Sequence, residues 1–279
     1  MTVAAIDRCL RLIEALAGQV EPVELVELAG KVDLPNSAAH RILSTLLSNG
    51  WVVQDPVSQK YALSLRLSTF AFRNLDARGI PDVAQSALDD LAARTKEYCR
   101  LAIVEGEDLI WVARAQGATV GLRYEPDMGQ EIVLHATASG KAWLATLPEA
   151  EALRIACANG FEANRPLGPN AVGDIDELRD HLADTRSRGF AAAIEEGESG
   201  TVALAISFQS SNQSDAPVVG TISVAGPLSR MGSDRFAALA AELSDAARRV
   251  EEIWTLRSRQ RGRLTTKVSR APRLHPRST

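Results

Sequence analysis

The stretch Leu34-Pro35-Asn36-Ser37-Ala38-Ala39-His40-Arg41-Ile42-Leu43-Ser44-Thr45-Leu46 restricts the fold more than any other part of the chain. Gly50-Trp51-Val52-Val53 and Lys60-Tyr61-Ala62-Leu63 follow closely. Proline stands at a first helical position and short polar residues fill the first turn. Ala38, Ile42 and Leu46 recur every four residues, which predicts a helix with one buried stripe. The opposite face carries Asn36, Ser37, His40, Arg41 and Ser44. A narrow, polar, weakly cationic face of this kind suits approach to phosphates and base edges in a major groove. The two runs behind it predict a small β-wing. A plain surface helix would show the same face, so the neighbouring segments decide.

Upstream, Ile6, Leu10, Ile13 and Leu16 predict a first helical stripe. Pro22 to Val32 predicts a second short helix with Val23, Val26 and Ala29 on one side. Three short helices and a hairpin in about 65 residues match a winged helix-turn-helix.

A linker helix is expected over Leu65 to Leu75, packing through Leu67, Phe70 and Ala71, with Gly79 and Pro81 as stop and restart signals. Pro81 to Thr95 then predicts an amphipathic helix on Val83, Ala87, Leu88 and Leu91. From Tyr98 the period becomes two. Cys99 to Val104 and Leu109 to Ala113, separated by Glu105-Gly106-Glu107-Asp108, predict a hairpin, and Leu122-Arg123-Tyr124 and Ile132-Val133-Leu134 are read as further strand or approach segments. Helices are expected at Ala138 to Thr146, Pro148 to Ala158 and Ile175 to Arg188. Strands are expected at Phe190 to Ile194, Val202 to Phe208 and Val218 to Ala225, and a long helix from Asp234 to Leu256 closes the domain. The expected fold is α+β in two domains: a winged helix-turn-helix over 1–64, a linker helix over 65–78, and a domain over 79–257 with helices around an antiparallel sheet. A basic tail over 258–279, containing Gly262, Pro272 and Pro276, is expected to be disordered.

The net charge of −4 conceals an uneven distribution. Ser258 to Thr279 holds seven basic residues and no acidic ones, which leaves −11 on residues 1–257. The first 75 residues balance seven basic against seven acidic side chains, so the acidic excess belongs to the second domain. Tail arginines suit non-specific phosphate contact. No apolar run reaches the roughly 18 residues of a membrane helix, and Asp7, Arg8 and Arg11 interrupt any signal-peptide core. A cytoplasmic location without membrane contact is the expectation.

Enzyme chemistry fails on spacing. Ser139-Gly140-Lys141-Ala142 lacks the glycine and the hydroxyl that a phosphate loop needs where His135 and Ala142 stand. Ser139 and Lys141 are two apart, where a helical Ser-Lys pair needs three. Glu195, Glu196 and Glu198 read as a solvated loop, and His40, His135, His181 and His275 are too dispersed for a metal cluster. Cys9, Cys99 and Cys157 read as isolated small residues. No cofactor, metal or catalytic set is expected.

Five segments follow one another along the chain: Ile6-Asp7-Arg8-Cys9-Leu10-Arg11-Leu12-Ile13-Glu14-Ala15-Leu16, the helix from Pro35, His135-Ala136-Thr137-Ala138-Ser139-Gly140-Lys141-Ala142, Arg188-Gly189-Phe190, and Ile222-Ser223-Val224-Ala225-Gly226-Pro227-Leu228-Ser229-Arg230. Together they resemble the IclR-type bacterial transcriptional regulators. The resemblance implies a second domain that is GAF- or profilin-like and binds a small effector. It also implies a homodimer, or a dimer of dimers, on an operator in double-stranded DNA. Asn36, Ser37 and His40 are the expected base contacts, Arg41 and Lys60 the phosphate or groove contacts, and Ser44 completes the set. Arg41 has a rival reading as an internal partner of Asp55. The expected effector site comprises Leu122, Ala138, Ala193, Ala203, Ser223 and Ala225.

Five departures from the family pattern stand out. Asp33 and Gln59 occupy positions where the family commonly has glycine. Relatives that bind small acids carry an aspartate and a cysteine where this chain has Ala193 and Ala203; Ser223 is retained, while a neighbouring serine is Ala225. The wider, more apolar site implies an effector larger or less polar than a two- or three-carbon keto acid, such as an aromatic or cyclic carboxylate. Two other readings stay open: a sensor that acts through a protein partner and uses its helix-turn-helix for dimerisation, and a second domain that binds nothing.

Overall fold

The computed structural model describes residues 3–78, 80–126, 129–163, 165–211 and 216–268, and the chain divides into two compact units at Arg78. The first unit holds α1 (Ala4–Ala17), α2 (Leu25–Lys31), α3 (Asn36–Ser48), β1 (Val52–Gln54), β2 (Tyr61–Leu63) and α4 (Arg66–Arg78). Its core is built from Leu12, Leu16, Val23, Leu28, Val32, Leu43, Leu46, Val52 and Tyr61.

Three buried stripes differ from those read off the spacing. On α3 the inward residues are Ala39, Leu43 and Leu46, with Ala38 and Ile42 only half-buried. A strict four-residue repeat drifts by about 40° per step around a helix, whereas spacings of four and then three hold one line. On α1 the core takes Leu12 and Leu16. Ile6 and Leu10 remain 58% and 54% exposed, because only the C-terminal half of the helix finds apolar partners. On α2 the buried residues are Leu28 and Ala29, and Val26 is exposed. Val23 lies before that helix and exchanges two backbone hydrogen bonds of 2.8 Å with Tyr61, tying the wing to the helical part.

Asp33 in the turn before α3 and Gln59 at the wing tip have φ of 52° and 60°. Both stand in the left-handed region that favours glycine, which accounts for the glycines expected at these positions. The linker helix α4 begins on the wing. Arg66 lies over the rings of Trp51 and Phe70, those rings stack 5.2 Å apart, and the Arg66 Nη1 donates to the carbonyl of Asn49 at 2.5 Å. Of the expected packing residues, Leu67 is half-buried, Phe70 packs on Trp51 and Ala71 is exposed. The stop signal at Gly79 lies outside the described residues.

The second unit runs α5 (Ile80–Thr95), β3 (Tyr98–Glu105), β4 (Asp108–Gln116), α6 (Ala138–Leu144), α7 (Glu149–Asn159), α8 (Ile175–Arg188), β5 (Ala191–Ile194), β6 (Thr201–Gln209), β7 (Val218–Pro227) and α9 (Phe236–Val268). Its five strands form an antiparallel sheet in the order β4-β3-β7-β6-β5. The β3–β4 connection is tighter than expected, since Glu105 pairs with Asp108 and leaves a two-residue turn with Gly106 at φ 67°. Residues 122–124 and 132–134 are not strands; Ile132 and Leu134 serve instead as core residues beneath α6 and α7. The helix α9 continues to Val268, past its expected end at Leu256. Residues 258–268, read from sequence as disordered tail, are helical backbone. Arginine, glutamine and leucine favour a helix and one glycine does not stop it. Residues 269–279 lie outside the described residues.

Two helical layers cover the sheet. The helices α5 and α9 pack on one face, where Phe208 meets Trp254 edge to face, and α6 covers β5, β6 and β7 on the other. That second face carries the candidate site.

Candidate functional site

The first unit presents the expected polar face. Asn36, Ser37, His40, Arg41 and Ser44 are all exposed on α3, opposite the buried Ala39, Leu43 and Leu46. Pro35 caps α3 without a side-chain hydrogen bond, and its carbonyl takes the amides of Ala38 and Ala39. A helix start open in this way favours anions. Ser44 differs from the others because its hydroxyl donates back to the carbonyl of His40 at 2.8 Å. Arg41 forms no ion pair among the described residues. Asp55, its rival partner, instead accepts from the amides of Val57 and Ser58 and from the Ser58 hydroxyl. Those bonds hold the Asp55 carboxyl below its usual range and shape the wing tip. Lys60 lies on the wing, with its Nζ 3.8 Å from Glu24.

In the second unit, each shared motif has a local structural task. Thr137 caps α6 by accepting the Gly140 amide at 3.1 Å. A Cβ on Gly140 would sit 2.2 Å from the carbonyl oxygen of Leu134, so only glycine allows that approach. Lys141 reaches across to Glu196, donating to both carboxylate oxygens, and also donates to His181 Nδ1 at 3.0 Å. The Lys141–Glu196 pair corrects the reading of the acidic loop as solvated: Glu196 is buried, while Glu198 is exposed. Burial pulls Lys141 down and pushes Glu196 up from their ordinary values, and their mutual attraction opposes both shifts. Gly189 ends α8 in the left-handed region at φ 77°. Gly226 and Arg230 both serve Glu97, whose buried carboxylate takes a two-pronged bond from Arg230 at 2.7 and 2.8 Å. A Cβ on residue 226 would meet that carboxylate at 2.4 Å.

The strand register brings most of the expected effector residues together. Ala193, Ala203 and Ala225 form one row across β5, β6 and β7, and that row continues to Tyr98 on β3. The next row reads Ala191, Ala205, Ser223, Arg100. Register partners project on the same face, and Ala138 and Ala142 of α6 pack over Ala191, Ala193, Ala203 and Ala205. Leu122 stands apart: it is 69% exposed, and its carbonyl accepts from Arg230 Nη1 at 2.7 Å.

The sequence reading passed over Arg100. Its guanidinium lies 3.7 Å from the centre of the Trp111 ring and 5.6 Å from that of Tyr98. Its Nε and Nη1 have no hydrogen-bond acceptor, and the residue is 9% exposed. Burial pulls the Arg100 pKa below its ordinary value, partly opposed by Tyr124 and Tyr98. A buried charge without a counterion costs several kcal/mol, and cation–π contacts return only about 0.5–2 kcal/mol. The buried Ser139 Oγ and His135 Nε2 also lack partners; His135 tilts against Phe161 at 5.0 Å, and burial draws its pKa below 6.5. The signal for Arg100 was a single charge in the otherwise apolar run Cys99 to Val104. Among the described residues, no cluster of metal-ligand side chains occurs and no helix is long and apolar enough to cross a membrane.

Comparison with known proteins agrees with this architecture. Residues 5–56 match the family model of the IclR helix-turn-helix domain, and residues 72–252 match that of the bacterial transcriptional regulator IclR C-terminal domain. The chain is 29% identical over 244 residues to the probable transcriptional regulator SauR of Cupriavidus necator, covering 88% of this chain and 94% of that one. It is 28% identical over 250 residues to the transcriptional repressor IclR of Escherichia coli, covering 89% of each. An IclR homolog from Microbacterium hydrocarbonoxydans, solved in complex with 4-hydroxybenzoate, superimposes with a TM-score of 0.73 at 22% identity, over 91% of this chain and 99% of that one. These relatives are regulators rather than enzymes. The chain belongs to the IclR family of bacterial transcriptional regulators, with a helix-turn-helix domain for DNA and a C-terminal effector domain.

Proposed function

We propose that the protein is a sequence-specific operator-binding regulator whose DNA affinity is set by an organic acid, in particular an aromatic or cyclic carboxylate. The observation that carries the DNA half is the exposed row Asn36, Ser37, His40 and Arg41 at an open helix start. Asn36, Ser37 and His40 are assigned to base edges, Arg41 and Lys60 to phosphates, and Ser44 to a secondary contact because its hydroxyl already donates to the helix backbone. Two such helices must be held one helical turn apart to read successive major grooves, so the working unit is a homodimer or a dimer of dimers. Exposed Val3, just before α1, and Ile6 and Leu10 on α1 supply apolar surface for that association.

The alanine row supports the effector half. Ala193, Ala203 and Ala225 put only methyl groups beneath α6, which offers an apolar body a wall of methyl groups and gives a very small acid few polar partners. A relative of the same fold holds 4-hydroxybenzoate. Ligand acts by favouring one arrangement of the paired reading units over another.

A mobility-shift assay on the upstream region of the chain's own gene tests this directly. The expected result is a discrete complex that aromatic carboxylates strengthen or weaken. Absence of any sequence-dependent complex would leave the second unit a sensor for a protein partner.

A further inference from the structure

We propose that Arg100 is the anchor for the effector's carboxylate, so that the second unit selects organic anions with a buried guanidinium on β3. This rests on the reading that the second unit holds an effector, and it names the residue that fixes the effector's class.

Three observations carry it. First, the other buried charges of the second unit have counterions within it: Glu97 has Arg230, and Lys141 has Glu196. Arg100 has none among the described residues; its Nε and Nη1 lack any acceptor although the side chain is nine-tenths buried. Second, the Trp111 ring, centred 3.7 Å from the guanidinium carbon, accepts no hydrogen bond from it, and Nε and Nη1 keep their donors. Nε and Nη1 lie on different edges of the guanidinium, and each forms a fork with Nη2 that can take the two oxygens of a carboxylate. Third, the register puts Ser223 directly beside Arg100 and Ala225 one row away, while Ala203 and Ala205 continue those rows on β6. A hydroxyl therefore flanks the charge and methyl groups border it, so a ligand's apolar body can extend along the alanines while its acid end meets Arg100. The Tyr98 ring centre lies 5.6 Å from the guanidinium, and Tyr124, Arg165 and Glu198 also act on Arg100 electrostatically, Arg165 as a second positive charge and Glu198 as a negative one that makes no ion pair with it.

Calorimetric titration of the full chain tests the proposal, with benzoate, 4-hydroxybenzoate and phenylacetate, their carboxamides, and inorganic phosphate. Wild type is expected to bind at least one carboxylate and to lose it at least tenfold on conversion to the amide, as expected when a charge-assisted hydrogen-bonded pair is removed. Arg100→Met is expected to abolish carboxylate binding, while its ligand-free melting temperature holds or rises because an unpaired buried charge is gone. Arg100→Lys is expected to bind at an intermediate level. Equal binding of acid and amide, tighter binding of phosphate, no carboxylate binding to wild type, or undiminished binding to a folded Arg100→Met would each overturn it. DNA binding by the ligand-free proteins is measured in parallel. Its loss in wild type would count against the regulator reading alone, and retained DNA binding with lost carboxylate response in Arg100→Met isolates the anchor.

Discussion

The Lys141 ammonium donates to both carboxylate oxygens of Glu196, at 2.7 and 2.5 Å, with the two side chains 1% and 5% exposed. The bond ties α6 to the loop after β5 and so holds the roof over the alanine row. Removing either partner strands a buried charge. Lys141→Met or Glu196→Gln is expected to destabilise the second unit by about 3–5 kcal/mol, whereas Lys141→Met combined with Glu196→Leu costs far less. Urea denaturation of the three variants checks this, and additive losses in the double variant would refute it.

His135 gives a pH dependence of defined sign. Its folded pKa lies below 6.5 because it is buried and Lys141 is close. Below pH 6.5 the unfolded chain takes up a proton that the folded one resists, so stability falls as pH drops through that range, by at most about 1.4 kcal/mol per pH unit. His135→Gln is expected to flatten this part of the curve. Thermal melts between about pH 5 and 7, followed through Trp111 and Trp143 in the second unit, provide the measurement.

Arg41 and Asn36 separate positioning from reading. Arg41→Ala is expected to weaken binding to every DNA sequence and to lower the salt slope by about one, as for a single phosphate contact. Asn36→Ala is expected to keep the slope and relax preference at one base position, costing about 1–3 kcal/mol on the preferred operator. Fluorescence anisotropy across a salt series distinguishes them; identical slopes for Arg41→Ala and wild type would remove Arg41 from the phosphate contacts.

Lys96 follows α5 with φ 61°, where a side chain is strained and glycine is not. Lys96→Gly is expected to stabilise the second unit by about 0.5–1 kcal/mol. A lowered denaturation midpoint would show that the lysine side chain contributes more than its backbone strain costs.

The sequence revealed elements more readily than faces. Periodicity located α8 to the residue, and turn residues located the β3–β4 hairpin, because both are local signals. On the buried line of α3 Leu46 was found, while Ala38 and Ile42 each stood one position before the residue that is buried, since a repeat of four looks regular in text but drifts around the helix axis. Glu196 looked like part of a solvated loop because its partner Lys141 lies 55 positions away. Arg100 was passed over for a related reason. Its isolation becomes visible only when β7 and β4 are placed on either side of β3 and its register partners prove to be Ser223 and Arg114, neither an acid. The methyl-lined row was legible position by position through the resemblance, while its continuity from β5 to β3 required the register.

The clamp of Arg66 over Trp51 and Phe70, with its bond to the carbonyl of Asn49, joins the end of the reading helix to the first turn of α4. If the first unit reads DNA as proposed, a rotation of the first turn of α4 passes through this clamp to α3, and replacing Arg66 acts as a loose coupling: the operator is still gripped, but metabolite no longer steers the grip.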